Sequence, residues 1–197
     1  MNTKMTCLLL ASVALCVGSC STKNQNSELE IQKLIPPTTS EALDAAGAAT
    51  SCSYSAATAE YTFQSFNTAR DFSVGIVIKN NLTQNGNPSL GRLNTNDFLA
   101  MQAITTYEST DGSLVNIPQQ VEPIGGVAAA GGTLTTAAIL IPAAVAAQLS
   151  TVTSVRLHVR IEGRLLDGST ISTNEYLPVA VPTSSSLDSS SCLSSAP

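Results

Sequence analysis

The chain has 197 residues, of which 43% are hydrophobic and 12% charged, with one histidine, five cysteines and no tryptophan. That length serves one domain with a real core and is too short for two large ones, while a formal charge of −5 excludes the clustered cations of a nucleic-acid surface. Charged residues at about half the usual share fit neither a solvated disordered chain nor a salt-bridged helix, but a β-rich domain surfaced with Ser, Thr and Asn.

Lys4 supplies positive charge near the N-terminus, and Met5 to Val17 follow as a 13-residue apolar run. A bilayer core takes about 20 residues, so the run suits the hydrophobic region of a signal peptide rather than a span. Val17-Gly18-Ser19-Cys20 closes it. Small residues before a cut let a peptidase grip extended backbone, and the thiol after the cut can accept a diacylglyceryl group. These four residues, with the run before them, resemble the lipobox of bacterial lipoproteins, with Val17 where Leu is commoner. The resemblance implies loss of residues 1–19, lipid on Cys20 and, because Ser21 rather than an acidic residue follows, release to the outer membrane. A plain secretory signal with a chance cysteine is the alternative. Each buried CH₂ contributes about 0.8 kcal/mol, so two or more acyl chains hold a protein stably where one does not. Losing Lys4 takes Lys+Arg from 9 to 8 against 14 Asp+Glu, so the mature charge is −6 and anionic headgroups repel it. The lipid is then the attachment. The expected partners are the membrane, through that lipid, and an envelope protein; no nucleic acid, metal or small-molecule cofactor is expected.

Residues 20–51 are rich in Ser, Thr, Asn and Ala, contain Pro36-Pro37, and show no sustained period of 2 or 3.6. They read as a disordered tether, able to extend on the order of 100 Å at about 3.3 Å per residue. A short helix near Glu28–Leu34 or Ser40–Ala46 would be marginal alone. Cys7 and Cys16 leave with the leader and Cys20 is modified, so Cys52 and Cys192 remain as an even pair in an oxidising compartment. They read as a disulfide. From 52 to 192 inclusive it closes a loop of 141 residues, worth roughly 5 kcal/mol on the chain-entropy estimate. It would tie a Ser-rich tail, 183–197, back to a domain at 52–182. Free thiols, or pairing with other chains, are the alternative, since a bond needs Cα atoms within about 7 Å. Two cysteines and one distant histidine make a poor metal site.

Within 52–182, Glu60–Phe66 is the first strand candidate. In Asp71–Asn80, Phe72, Val74, Ile76 and Ile78 fall on one face, the alternation of a half-buried strand. Asp97–Thr110 and Leu114–Ile117 follow, with Asp111-Gly112 as a hairpin signal. Ile124–Leu149 is the most apolar mature stretch, interrupted by Gly125-Gly126, Gly131-Gly132 and Pro142. It reads as a turn at Gly131-Gly132, a core strand at Thr133–Ile141, and one or two helical turns over Pro142–Leu149. Proline stands first there, with Val145 and Leu149 on one side.

Ser154–Gly163 alternates again, with Val155, Leu157, Val159 and Ile161 facing one way and Arg156, His158, Arg160 and Glu162 the other. Asp167-Gly168 signals a hairpin into Thr170–Val181. A two-residue loop sets Val159 opposite Tyr176. A shift by one sets Val159 opposite Leu177, Leu157 opposite Val179 and Val155 opposite Val181, which matches apolar with apolar. The expectation is therefore an extra residue, either a bulge at Gly163 or a three-residue loop using Gly168. Seven or so short strands predict an all-β, antiparallel, immunoglobulin- or fibronectin-like β-sandwich with one short helical crossover.

The segment VRLHVRIEGRLLDGSTISTNEYLPVAVP, followed by a late cysteine, is similar to an all-β domain of outer-membrane lipoproteins from myxobacteria and related deltaproteobacteria. The likeness runs in outline from Cys52 to Cys192. It implies the fold and carries no catalytic residue across.

Little in the chain points to chemistry. His158 is the sole histidine, and no sequence pattern supplies the orienting partner that a base or ligand needs. Arg156, His158 and Arg160, extended by Arg164, form a cationic stripe suited to a phosphate or carboxylate, as on lipopolysaccharide or a partner protein. The plainer reading is a solvated face balanced by Glu162 and Glu175, because alternating charge on an outward face is the default. Neither a G-x-S-x-G nor a Walker-type loop occurs. Asp71, Asp97, Asp111 and Asp167 read as turn residues rather than calcium ligands. The chain is thus expected to be a lipid-anchored, non-catalytic envelope lipoprotein serving as a binding, accessory or structural module. An envelope hydrolase whose site the sequence does not display is the alternative.

Overall fold

Alternating apolar residues build the strands around which the molecule is organised. A computed structural model describes residues 28–36, 38–39, 52–55, 64–87, 94–110 and 116–183. In chain order the strands are β1 (Leu29–Ile35), β2 (Thr38–Thr39), β3 (Cys52–Ser53), β4 (Gln64–Asn67), β5 (Phe72–Asn80), β6 (Phe98–Ser109), β7 (Gln120–Pro123), β8 (Val127–Ala128) and β9 (Thr133–Ile141). Helix α1 (Ala143–Gln148) and a 3₁₀ turn at Leu149–Thr151 lead to β10 (Val155–Leu165), β11 (Thr170–Ser172) and β12 (Val179–Thr183). The protein is all-β. One antiparallel sheet has the order β1-β5-β9, and a larger one the order β4-β12-β10-β6-β7, with β11 beside β10 and β8 beside β6. Every pairing is antiparallel except that of β12 with β4, and β2 pairs with β3 alone.

Both sheets feed one core. Phe72, Val74, Ile76 and Ile78 of β5, and Leu140 of β9, meet Phe98 and Tyr107 of β6 and Val155, Leu157, Val159 and Ile161 of β10. The Tyr107 hydroxyl donates to the Leu140 carbonyl at 2.8 Å, a buried hydrogen bond from one sheet to the other. No helix among the described residues is long and apolar enough to cross a membrane.

Four expectations hold closely. Asp97–Thr110 and Thr133–Ile141 are strands to within a residue. The Gly131-Gly132 turn forms, with Gly131 at φ 74° and the Gly132 N–H donating to the Ala129 carbonyl at 2.7 Å. The helix also forms, with Val145 and Leu149 buried and Pro142 in the cap position just before the first turn. It links β9 of one sheet to β10 of the other.

Other expectations are corrected. Leu29–Ile35 is not tether but a strand along β5, with Leu29 and Leu34 fully buried in the core. Ile31 pairs with Ile78 and Lys33 with Val77, so β1 has one residue too many there, a bulge that breaks the period of two. Nor is β5 half-buried: Ser73, Gly75 and Val77 on its second face are also covered. Gly75 is required there, because a Cβ would collide with Ile35 and Tyr54. Of Leu114–Ile117, only the last two residues are described, and neither is in a strand; β7 begins at Gln120 instead. Residues 60–63 of the first strand candidate and the Asp111-Gly112 turn lie outside the described residues.

The last hairpin has the expected loop and a different register. Leu165 N–H donates to the Ser169 carbonyl and Gly168 N–H to the Leu165 carbonyl, both at 2.9 Å, so the loop is Leu166-Asp167-Gly168 with Gly168 at φ 90°. Glu162 then pairs with Ser172, but Val159 bridges Tyr176 and Val155 pairs with Ala180. The single strand expected over Thr170–Val181 is split, with an extra residue between Ser172 and Tyr176. Thr173 explains the slip: its N–H donates to the Ile161 carbonyl and its hydroxyl accepts from the Ile161 N–H, replacing a ladder carbonyl. Tyr176 packs against the core in consequence, and Leu177 faces out at 50% exposure. On the other flank of β10, Glu162 pairs with Gln102 and Gly163 with Ala100, so the bulge is at Met101 of β6 rather than at Gly163 itself.

Candidate functional site

Because Val155, Leu157, Val159 and Ile161 are buried, the residues between them on β10 are forced onto the outer face of the larger sheet. Register with β6 sets Arg156 opposite Glu108, His158 opposite Thr106, Arg160 opposite Ile104 and Glu162 opposite Gln102. The expected stripe of Arg156, His158 and Arg160 is therefore assembled, and it arrives with carboxylates. Arg156 Nη1 lies 3.1 Å from Glu108 Oε2, and Arg160 Nη2 lies 2.8 Å from Glu162 Oε1. Gln102 Nε2 donates to the second Glu162 oxygen at 2.9 Å.

His158 is held from both sides. Its Nδ1 lies 3.1 Å from Glu175 Oε2 and its Nε2 lies 3.1 Å from Glu108 Oε2. Two acceptors on two ring nitrogens are satisfied together only by the doubly protonated ring. The hydrogen bond to Glu175 chiefly, then that to Glu108, raises the His158 pKa above its ordinary 6.5 against an opposing desolvation. The same contact with His158 lowers Glu108. With the imidazolium formed, Arg156 and His158 balance Glu108 and Glu175, while Arg160 balances Glu162. The stripe is a neutral lattice of charge pairs. An incoming phosphate must compete with carboxylates already in place. Arg164, next along the same face, is exposed and takes part in none of these ion pairs. A hydrolytic base needs one ring nitrogen free for a nucleophile, and here each faces a carboxylate.

Of the expected turn residues, Asp167 bonds within its own turn, while Asp71 and Asp97 accept from backbone far along the chain. Asp71 accepts from the Ala143 N–H at the start of α1 at 2.7 Å, Asp97 from the Ala130 N–H at 2.8 Å, and Asp167 from the Ser169 N–H at 2.8 Å. Asp111 lies outside the described residues. Burial raises the Glu122 carboxyl, with a smaller push from Asp71, but no third ligand joins them. Among the described residues no group of three or more His, Cys, Asp or Glu side chains could hold a metal ion. Cys20 and Cys192 lie outside the described residues, and of Cys52 the backbone alone is described, paired with Thr39 in β3. The sequence singled out Glu162 and Glu175 as balancing charges and missed Glu108. The signal for it lay in register: a strand ending in Glu108-Ser109 places that carboxylate beside Arg156 once β6 and β10 are paired.

No protein-family model matches the chain, and no curated protein matches it.

Proposed function

We propose that the chain is an exported lipoprotein, cut after Ser19 and held at the outer membrane by lipid on Cys20. Its β domain serves as a non-catalytic binding, accessory or structural module. The observation that carries this reading is Val17-Gly18-Ser19-Cys20 at the end of a 13-residue apolar run. It gains support from the domain side, since a strand of the core begins at Leu29, soon after that cysteine. Non-catalytic action is supported by His158, whose ring nitrogens both face carboxylates. The Arg156, His158 and Arg160 face would accept a partner bearing both charge signs more readily than a simple anion. The finer fold, an immunoglobulin- or fibronectin-like sandwich, belongs to the same proposal; two sheets feeding one core, with α1 passing between them, support it. A Cys52–Cys192 bond, which the exported setting favours, is proposed with it.

The test is fractionation of cells expressing Cys20→Ser beside the parent chain. The parent is expected in the membrane fraction and the variant in the soluble one. A variant that stays with the membrane as fully as the parent overturns the reading.

A further inference from the structure

Placing β1 in the core changes how far the domain can stand from its anchor. The Asn81 N–H donates to the Glu28 carbonyl at 2.7 Å, so the chain is already fixed to the domain at Glu28. From Cys20 to Glu28 is eight residue steps. Fully extended, they reach about 28 Å at roughly 3.5 Å each, against the roughly 100 Å of a tether running to Ser51. That is about the width of a small domain, so the anchor dictates which end of the molecule lies against the lipid.

Which end it is follows from the hydrogen bonds. Leu29 pairs with Asn80. The buried Asn80 amide donates to the Ala128 carbonyl at 2.9 Å and to the Asn96 carbonyl at 2.8 Å. Val127 precedes Ala128 and pairs with Leu99, which pairs on its other side with Arg164. The Leu166 N–H donates to the Asp97 carbonyl at 3.1 Å. The exit of the tether and these residues therefore share one end of the domain, joined through Asn80.

A second observation marks the same end. Six large hydrophobic side chains are exposed among the described residues, and four of them, Leu99, Met101, Val127 and Leu166, gather here. Met101 is pushed outward by the bulge in β6, and Leu166 stands at the tip of the three-residue loop. Arg164, outside any ion pair, lies among them. Apolar side chains around one free guanidinium suit the boundary of a bilayer, where the aliphatic groups leave water and the guanidinium donates to lipid phosphate.

We propose that Leu99, Met101, Val127, Leu166 and Arg164 form the face that rests on the bilayer to which Cys20 is anchored. The proposal rests on the lipoprotein reading and adds an orientation to it. The domain lies against the membrane by this end, with the Arg156–His158 part of the same sheet face running up from it.

The absence of tryptophan from the chain provides the test. Leu166→Trp and, separately, Val127→Trp place a single reporter in the proposed contact; Leu177→Trp places one on an exposed site beside the far half of β10. Each full-length variant is purified from membranes, its acylation read by mass, and reconstituted into phosphatidylcholine–phosphatidylglycerol vesicles with or without bromine on the acyl chains. Interfacial side chains lie about 5–10 Å into the headgroup–acyl boundary. L166W and V127W emission is therefore expected to shift blue and lose about half its intensity or more to bromine, while L177W is unaffected. Acylated, vesicle-bound protein with no bromine quenching at 166 and 127 overturns the contact face and leaves the anchor standing. A blue shift without bromine quenching also overturns it, because it reports burial against protein. Protein recovered without acyl chains overturns anchor and contact together.

Discussion

His158 reaches from β10 to a carboxylate on either side, Glu108 on β6 and Glu175 on the segment leading into β12. It therefore fastens three pieces of the larger sheet on their solvent face. Thr106 lies opposite it, Arg156 and Arg160 flank it, and Glu162 answers Arg160. The pH dependence follows from the directions of the shifts. A histidine whose folded pKa is raised contributes stability that is fully present below about 6.5 and lost as pH climbs through the raised value. Glu108 is lowered, so its contribution is present above about 4.5 and lost as pH falls. The cluster is strongest between those limits. Melting temperature is expected to decline as pH rises above 6.5, and His158→Gln is expected to flatten that decline by removing the charge that is lost. Identical slopes for parent and variant in a pH series of thermal melts would rule out the clasp. This device was only half legible in the chain. The outward placement of Arg156, His158 and Arg160 is a matter of period two, whereas Glu108 joins them only through register with a strand about fifty residues away.

At the scale of elements, the same contrast recurs. β10 and the core face of β5 are readable because each apolar residue is followed by one that belongs on the other face. β1 hides because its bulge spaces the core residues Leu29, Ile31 and Leu34 by two and then three, which matches neither a regular strand nor a helix. The Thr173 hydroxyl, standing in for a backbone acceptor, hid the register of the last hairpin in the same way, since apolar matching takes no account of it. β1 supports a direct prediction. In a tether, Leu34→Ala costs almost nothing; in the core, where Leu34 is fully buried, it is expected to cost about 3 kcal/mol. Denaturant unfolding of the two proteins decides this. A midpoint unchanged by the substitution would return Leu29–Ile35 to the tether.

For the whole molecule, the strand β1 matters as much as the signal proposed to precede it. With Glu28 tied to the domain, the proposed anchor at Cys20 would hold the domain close, and its orientation would become a property of the fold. On that proposal the exposed apolar residues near Asn80 face lipid, and the charge-paired part of β10 is left for a partner. On the proposed cleavage the charge becomes −6, which anionic headgroups repel, so the proposal assigns the attachment to lipid on Cys20. The intact mass of protein isolated from its native membrane tests that most directly. Expected is a chain from Cys20 to Pro197, heavier by a diacylglyceryl group and an acyl chain, and lighter by two hydrogens for the Cys52–Cys192 bond. A mass that retains Met1–Ser19, or one that begins at Cys20 with a bare thiol, would contradict it.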